Sequence, residues 1–130
     1  MEQQKRGHKD LVVWQKALVL AVEVHRLTDS FPTIERFGLT SQMRRAAVSI
    51  PSNVAEGAAR RTTKDFVAFV HIARGSLAEL ETQLLLAQQV GYLRPEQMEP
   101  LMERLNEVGR LLTGVLAGLR RRVAALPTNR

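Results

Sequence analysis

Apolar residues recur at alternating intervals of four and three along two long stretches of the chain. This spacing forms one continuous stripe on an α-helix, and such stripes pack helices side by side at shallow angles. No stretch alternates apolar and polar residues as a half-buried strand would. The pattern predicts an all-α fold with one stripe made of Phe66, Val70, Ala73, Leu77, Leu80, Leu84 and Ala87, and another made of Leu101, Leu105, Val108, Leu112, Val115 and Leu119.

Glycine, proline and threonine residues divide the chain into four predicted helices. Gly57 and Gly91 suit helix C-termini, Thr62 or Thr63 suits an N-cap, and Pro95 suits a first helical turn. Short links between the helices favour an antiparallel up-down-up-down four-helix bundle. The length of 130 residues fits a single domain, 1–130. We expect its helices at about 11–27, 39–56, 63–90 and 95–126.

The first predicted helix is apolar on two sides. Its two stripes are Leu11, Trp14, Leu18, Val22 and His25, and Val13, Ala17, Leu20, Val24 and Leu27. A four-helix bundle buries only one side of each helix well, so the second side is expected to meet another subunit. The sequence therefore predicts a homo-oligomer.

The sequence lacks the residues that several kinds of chemistry require. The chain has no cysteine, which excludes disulfides and thiolate metal sites and suits the cytoplasm. Its three histidines are isolated, no Glu-x-x-His pair suggests a di-iron site, and no glycine-rich phosphate loop occurs. The longest apolar run, Ala17 to Val22, is too short to cross a membrane, and no signal peptide is recognisable. We expect a non-enzymatic cytoplasmic protein without metal, cofactor or membrane partner.

Basic residues are concentrated in two segments. The net charge is +6; residues 36–64 hold six basic and one acidic side chain, and residues 120–130 hold four basic and none. An up-down-up-down bundle brings the N-terminus, the link between helices 2 and 3, and the C-terminus to one pole. Lys5, Arg6, Lys9 and Arg130 would add to that pole. The alternative is a surface that is merely well solvated. The predicted phosphate-binding residues are Arg60, Arg61, Lys64, Arg120, Arg121 and Arg122.

Helix 2 carries a polar stripe beside its apolar face, made of Gln42, Arg45, Ser49, Asn53 and Glu56. Folding helix 2 back on helix 3 about residues 60–61 brings Gln42 toward Glu79. The same fold brings Arg45 toward Ser76, and Arg45 and Glu79 then lie close enough to form an ion pair. We interpret the stripe, with Ser76 and Glu79, as a structural polar network, because partly buried polar groups need partners. A ligand site is the alternative interpretation.

Two sequence segments resemble a known family. The first half contributes Glu35, Leu39, Gln42, Arg45, Ser49, Pro51, Asn53 and Ala55-Glu56-Gly57. The second contributes Ala73, Gly75-Ser76, Glu79, Gly91 and Tyr92, whereas helix 4 fits more loosely. These residues resemble the four-helix-bundle family encoded in intervening sequences of bacterial 23S rRNA genes. The resemblance implies a ring-like homopentamer and kinship with the accessory variability determinant, a basic partner of the reverse transcriptase in diversity-generating retroelements.

These observations lead to one function hypothesis and two alternatives. We expect an oligomeric accessory protein that binds RNA or DNA, with a reverse transcriptase as a further partner implied by the resemblance. Trp14, Tyr92 and the four phenylalanines lie mostly at seam positions, so we expect no aromatic platform for bases and purely electrostatic binding. The first alternative is a structural or protein-interaction bundle with no nucleic-acid role. The second is an enzyme whose pocket the sequence does not reveal.

Overall fold

Four α-helices account for most of the described chain. The computed structural model describes residues 7–126 and contains no β-strand in that range. Short 3-10 helices at His8–Asp10 and Thr33–Glu35 precede the first and second α-helices. The all-α prediction is confirmed, and each helix begins and ends within two residues of its predicted bounds. The helices are α1 (Val12–Thr28), α2 (Leu39–Ala58), α3 (Thr63–Gln89) and α4 (Pro95–Ala124).

The helices surround one hydrophobic core, an arrangement consistent with a four-helix bundle. α1 and α3 each pack against both α2 and α4. Over residues 7–126, α1 and α3 do not contact each other, so they occupy opposite corners. No helix of this range is long and apolar enough to span a membrane. Each helix contributes fully buried side chains to the core, among them Leu20, Ile50, Leu80 and Leu112.

Side chains and turn residues fix the helix ends as predicted from the sequence. The Thr62 hydroxyl accepts a hydrogen bond from the Asp65 amide at 3.1 Å and so caps α3. Gly91 ends that helix with a φ of 93°, which an L side chain rarely adopts. Pro95 is the first residue of α4, where its missing N–H leaves no helical bond unmade.

Gly57 has a different role from the predicted one. α2 continues through it to Ala58, so the prediction that Gly57 ends the helix is wrong. Gly57 is buried, and a Cβ atom there would lie 2.8 Å from both Phe66 Cδ1 and Phe69 Cβ. The missing side chain therefore permits close contact between α2 and the first turns of α3.

We expect Gly57→Ala to destabilise the protein. The added methyl group meets a Cβ atom that cannot rotate away, and such overpacking costs about 1 to 3 kcal/mol, against about 1 kcal/mol gained in helix propensity. Gly114→Ala is the matched control, because no atom lies within 4 Å of its added methyl group. Urea denaturation should give a lower free energy of unfolding for Gly57→Ala and a higher one for Gly114→Ala; equal gains in both variants would contradict the packing role.

Two opposite corners of the bundle expose apolar side chains. On α1, Val12, Leu18, Val19 and Val22 point away from the core, and Ile72, Leu85 and Leu86 on α3, together with its C-cap residue Val90, are similarly exposed. All eight are between 41% and 54% exposed. Leu18 and Val22 belong to the predicted second stripe of α1, whereas Leu11 and Trp14 of that stripe pack against the core. α3 carries a comparable exposed apolar surface.

Candidate nucleic-acid interface

Three separate chain segments meet in a cleft at one end of the helices. The cleft has a volume of about 350 Å³. Its walls come from the segment before α1, the link between α2 and α3, and the last turns of α4. The predicted approach of these segments is observed, and the lining residues include Gly7, Asp10, Arg60, Arg61, Thr63 and Arg122.

The predicted phosphate-binding side chains all lie exposed around this cleft or on the adjoining turns of α3 and α4. Arg60 donates to Glu56 Oε2 at 2.9 Å, and its guanidinium lies 4.8 Å from the centre of the Phe69 ring. Arg120 Nη2 lies 3.2 Å from His71 Nε2. Within residues 7–126, no ion pair engages Arg61, Lys64, Arg121 or Arg122. Lys5, Arg6 and Arg130 lie outside the described residues.

The polar stripe of α2 divides into separate groups. The Ser49 and Ser76 hydroxyls share a hydrogen bond of 2.8 Å between α2 and α3. Asn53 Nδ2 donates to the Ser49 carbonyl at 2.8 Å and to the Ser49 hydroxyl at 2.9 Å. Glu56 instead forms an ion pair with Arg60. The structure thus joins three residues of the predicted network, Ser49, Asn53 and Ser76, in one hydrogen-bonded cluster.

The predicted ion pair between Arg45 and Glu79 is not formed. Both side chains are exposed and border a cleft of about 340 Å³, which Gln42, Ser49 and Ser76 also line. Glu79 Oε2 instead accepts from Gln83 Nε2 at 3.4 Å. Gln83 is buried, and its Oε1 atom has no partner among the described residues. Ser49, one turn beyond Arg45, is the residue that faces Ser76, so the register differs by about one turn from the predicted one.

Arg44 makes the most extensive polar contact between α1 and α2. Its Nε donates to Thr28 Oγ1 at 2.8 Å, and its Nη2 donates to Asp29 Oδ1 at 2.9 Å and to the His25 carbonyl at 3.1 Å. A cation at a helix C-terminus is favourable, because unpaired carbonyls and the helix dipole concentrate negative charge there. Sequence reasoning missed this residue, since a charge on a helix does not reveal which neighbouring helix end it reaches.

Phe37 is an aromatic side chain that lies outside the helix seams. It lies in the link between α1 and α2, is 88% exposed, and its ring centre is 5.5 Å from the Arg36 guanidinium. The ring borders a groove of about 550 Å³, which we call the Phe37 groove. The other residues of its walls are His25, Arg36, Thr40, Ser41, Arg44, Arg45, Val48 and Ser49.

Histidine side chains of the described chain lie apart from one another. His8 packs edge-on against Trp14 with ring centres 5.0 Å apart, and His25 Nδ1 lies 3.3 Å from the Ala21 carbonyl. In residues 7–126, no three histidine, aspartate or glutamate side chains are grouped closely enough to hold a metal ion.

Glu35 connects the start of α2 to the corner between α3 and α4. Its Oε1 accepts from the Leu39 amide at 3.1 Å, and its Oε2 accepts from the Tyr92 hydroxyl at 2.8 Å. The Leu39 bond and then the Tyr92 bond stabilise the carboxylate and lower the pKa of Glu35. The same carboxylate raises the pKa of Tyr92. Glu35 and Tyr92, noted in the sequence only for a family resemblance, therefore have a physical role at this corner.

We expect Tyr92→Phe to raise the pKa of Glu35, because one of the two donors to its carboxylate is lost. A lowered carboxyl pKa stabilises the folded state above the unfolded-state pKa, and this contribution disappears as pH falls through the folded-state value. The stability difference between parent and variant should therefore be larger at neutral pH than in acid. NMR titration of the Glu35 carboxyl and denaturation at both pH values test this; an unchanged pKa would show that Tyr92 does not donate to Glu35.

One protein family and one solved structure are similar to this chain. The model of the 23S rRNA-intervening sequence protein family matches residues 9–114. The solved structure of a protein with unknown function from the S23 ribosomal protein family of Bacteroides thetaiotaomicron is similar, with a TM-score of 0.77 and 28% sequence identity. The match covers 84% of this chain and 98% of that one. No curated protein matches the sequence. Because the family match extends over well more than half of the chain, this protein belongs to the 23S rRNA-intervening sequence protein family.

Proposed function

We propose that the protein is a non-enzymatic, oligomeric accessory protein that binds RNA or DNA through phosphate contacts. The observation that carries this proposal is the cleft in which Arg60 and Arg61 of the α2–α3 link meet Arg122 of α4. Together with the exposed Lys64, Arg120 and Arg121 they form what we call the basic pole. Clustered, exposed cations bind phosphates by releasing the counterions that surround a nucleic acid.

Few carboxylates oppose these cations. Glu56 is already paired with Arg60, and Asp65 lies in the first turn of α3, where its charge suits the helix dipole. Asp10 is the third carboxylate near the cleft. The remaining arginines are long, exposed side chains that can follow the phosphate backbone, so binding should not depend on base sequence.

An up-down-up-down antiparallel bundle explains why the basic pole forms. Contacts at two levels support this arrangement for α2 and α3: Ser49 meets Ser76, and Gly57 near the end of α2 meets Phe66 near the start of α3. The same topology returns α4 to the pole at which α1 begins. Arg122 lines the same cleft as Gly7 and Leu11, which supports the return.

We propose that subunits associate through the two exposed apolar faces, α1 of one subunit against α3 of the next. Because α1 and α3 occupy opposite corners, this head-to-tail contact leaves one free face at each end of a pair. We propose that each contact also rotates the next subunit so that repetition closes a ring, for which the family resemblance implies five members. A ring in which every basic pole points the same way multiplies weak phosphate contacts.

We also propose the kinship with the accessory variability determinant that the sequence resemblance implies, and with it a reverse transcriptase as a partner of the assembly. The structural alternative, a bundle without any nucleic-acid role, makes the opposite prediction for binding. Fluorescence anisotropy with several RNA and DNA duplexes of unrelated sequence separates the two. Our proposal predicts closely similar affinities for all sequences at low salt, whereas absence of binding to every one of them would favour the structural alternative.

A further inference from the structure

The Phe37 groove lies at the other end of α2 from the basic pole. Its residues come from the link before α2, from the first three turns of that helix and from His25 near the end of α1, whereas the basic pole begins at Arg60. A helix of 20 residues is about 30 Å long, so substitutions in the groove leave the basic pole untouched. The two surfaces can therefore be tested independently.

Arginine side chains surround the groove without any carboxylate among its lining residues. Arg44 is already held by Asp29, Thr28 and the end of α1. Arg36 and Arg45 form no ion pair in the described part of the chain. This charge favours a polyanionic occupant, and Arg36 and Arg45 are the side chains available to pair with it.

The apolar part of the groove suits a flat ring better than a protein helix. Among the described residues that line it, Phe37 and Val48 are the only large apolar side chains, and His25 adds a polar aromatic ring. An amphipathic helix anchors itself with three or four apolar side chains, for which two partners are too few. A largely exposed phenylalanine ring, in contrast, offers a face on which a nucleic-acid base can stack, and the half-buried Ser41 can bond to a base edge.

We propose that the Phe37 groove binds an unpaired nucleotide of a single-stranded nucleic acid, with its base stacked on Phe37 and its flanking phosphates on Arg36 and Arg45. A duplex cannot use this groove, because its bases are already stacked and paired. This inference rests on the proposed nucleic-acid function and adds a preference for single strands to it. The basic pole then supplies affinity for any nucleic acid, and the groove distinguishes single strands from duplexes.

The test compares Phe37→Leu with the parent protein for binding to one oligonucleotide, presented as a single strand and as a blunt duplex. Leucine keeps the apolar volume but removes the aromatic face, and the exposed position makes misfolding an unimportant concern. Loss of one stacked base should weaken single-strand binding by about 5- to 100-fold. Duplex binding should stay unchanged, and Phe37→Tyr, which keeps the ring, should retain parental affinity for both.

Ile34→Ala is the matched control. Ile34 lies in the same link, is 85% exposed and does not line the groove, so this variant should bind single strands as the parent does. Unchanged single-strand affinity of Phe37→Leu, or an equal loss for single strand and duplex, would overturn the inference while leaving the proposed function intact. A change in oligomer mass caused by Phe37→Leu would overturn it too, since the groove would then be a subunit interface. Absence of all nucleic-acid binding by the parent would overturn both proposals.

Discussion

Replacing Arg60, Arg61, Arg120, Arg121 and Arg122 together with glutamine is expected to weaken binding to RNA and DNA duplexes by at least about 100-fold at low salt. Each arginine that neutralises a phosphate releases a counterion, and this release supplies most of a sequence-independent affinity. The slope of log affinity against log salt should become shallower by roughly 4 to 5, since each lost phosphate contact accounts for about 0.9.

A second variant separates the effect of where the substituted arginines lie from the effect of the lower net charge. Replacing Arg26, Arg74, Arg94, Arg104 and Arg110 with glutamine changes the net charge by the same amount but leaves the basic pole intact. This control should keep most of the affinity and the parental salt slope. Circular dichroism and light scattering should show unchanged helicity and mass for both variants, because the substituted side chains are exposed and the Arg60 ion pair is a surface pair of small energy. Equal affinity losses in both variants would contradict a localised basic pole.

The second large effect concerns assembly. Val22→Glu on α1 or Leu86→Glu on α3 should each reduce the assembly to smaller species, because either change places an unpaired carboxylate in the proposed subunit contact. Ile34→Glu, at an exposed apolar residue outside both faces, should leave the mass unchanged. Light scattering at micromolar concentration measures the outcome. A parent protein that is already a 14.6 kDa monomer would refute the ring.

Mixing the Val22→Glu and Leu86→Glu variants tests whether α1 contacts α3 or α1 of the neighbouring subunit. A Val22→Glu subunit keeps its α3 face, and a Leu86→Glu subunit keeps its α1 face, so one intact contact can form between them. The mixture should therefore give a dimer of about twice the 14.6 kDa chain mass, although each variant alone is a monomer. If α1 instead packs against α1 of its neighbour, Leu86→Glu alone retains the parental mass.

Helix positions could be predicted from the sequence because periodic and capping signals were both present. The apolar seams of α3 and α4 match the buried residues except that Phe66 and Val115 are only partly buried and Leu116 takes the core position beside Val115. Gly91 and Pro95 mark the corner between these helices. Gly57 misled the prediction, since glycine is favoured both at helix ends and at close helix contacts. Only the positions of Phe66 and Phe69 in space distinguish the two.

Side-chain pairing and the Phe37 groove were less accessible to sequence reasoning. The register of α2 on α3 depends on the length of the link and on how Phe66 and Phe69 pack, and an error of one turn removed the predicted contact of Arg45 with Ser76. Phe37 lies in a link without periodicity, so no pattern assigned it to core or surface. The position of the basic pole could be predicted because it depends only on which chain segments meet at one end of the helices. A shift of one helical turn between α2 and α3 does not change which segments meet there.

The most direct test of the central claim is the salt dependence of binding between the intact protein and a duplex of arbitrary sequence. We predict measurable binding at about 50 mM salt and a linear fall of log affinity with log salt, with a slope of about −0.9 for each phosphate contacted. No binding at low salt, or an affinity that does not change with salt, would contradict the proposal that the basic pole holds nucleic acid through its phosphates.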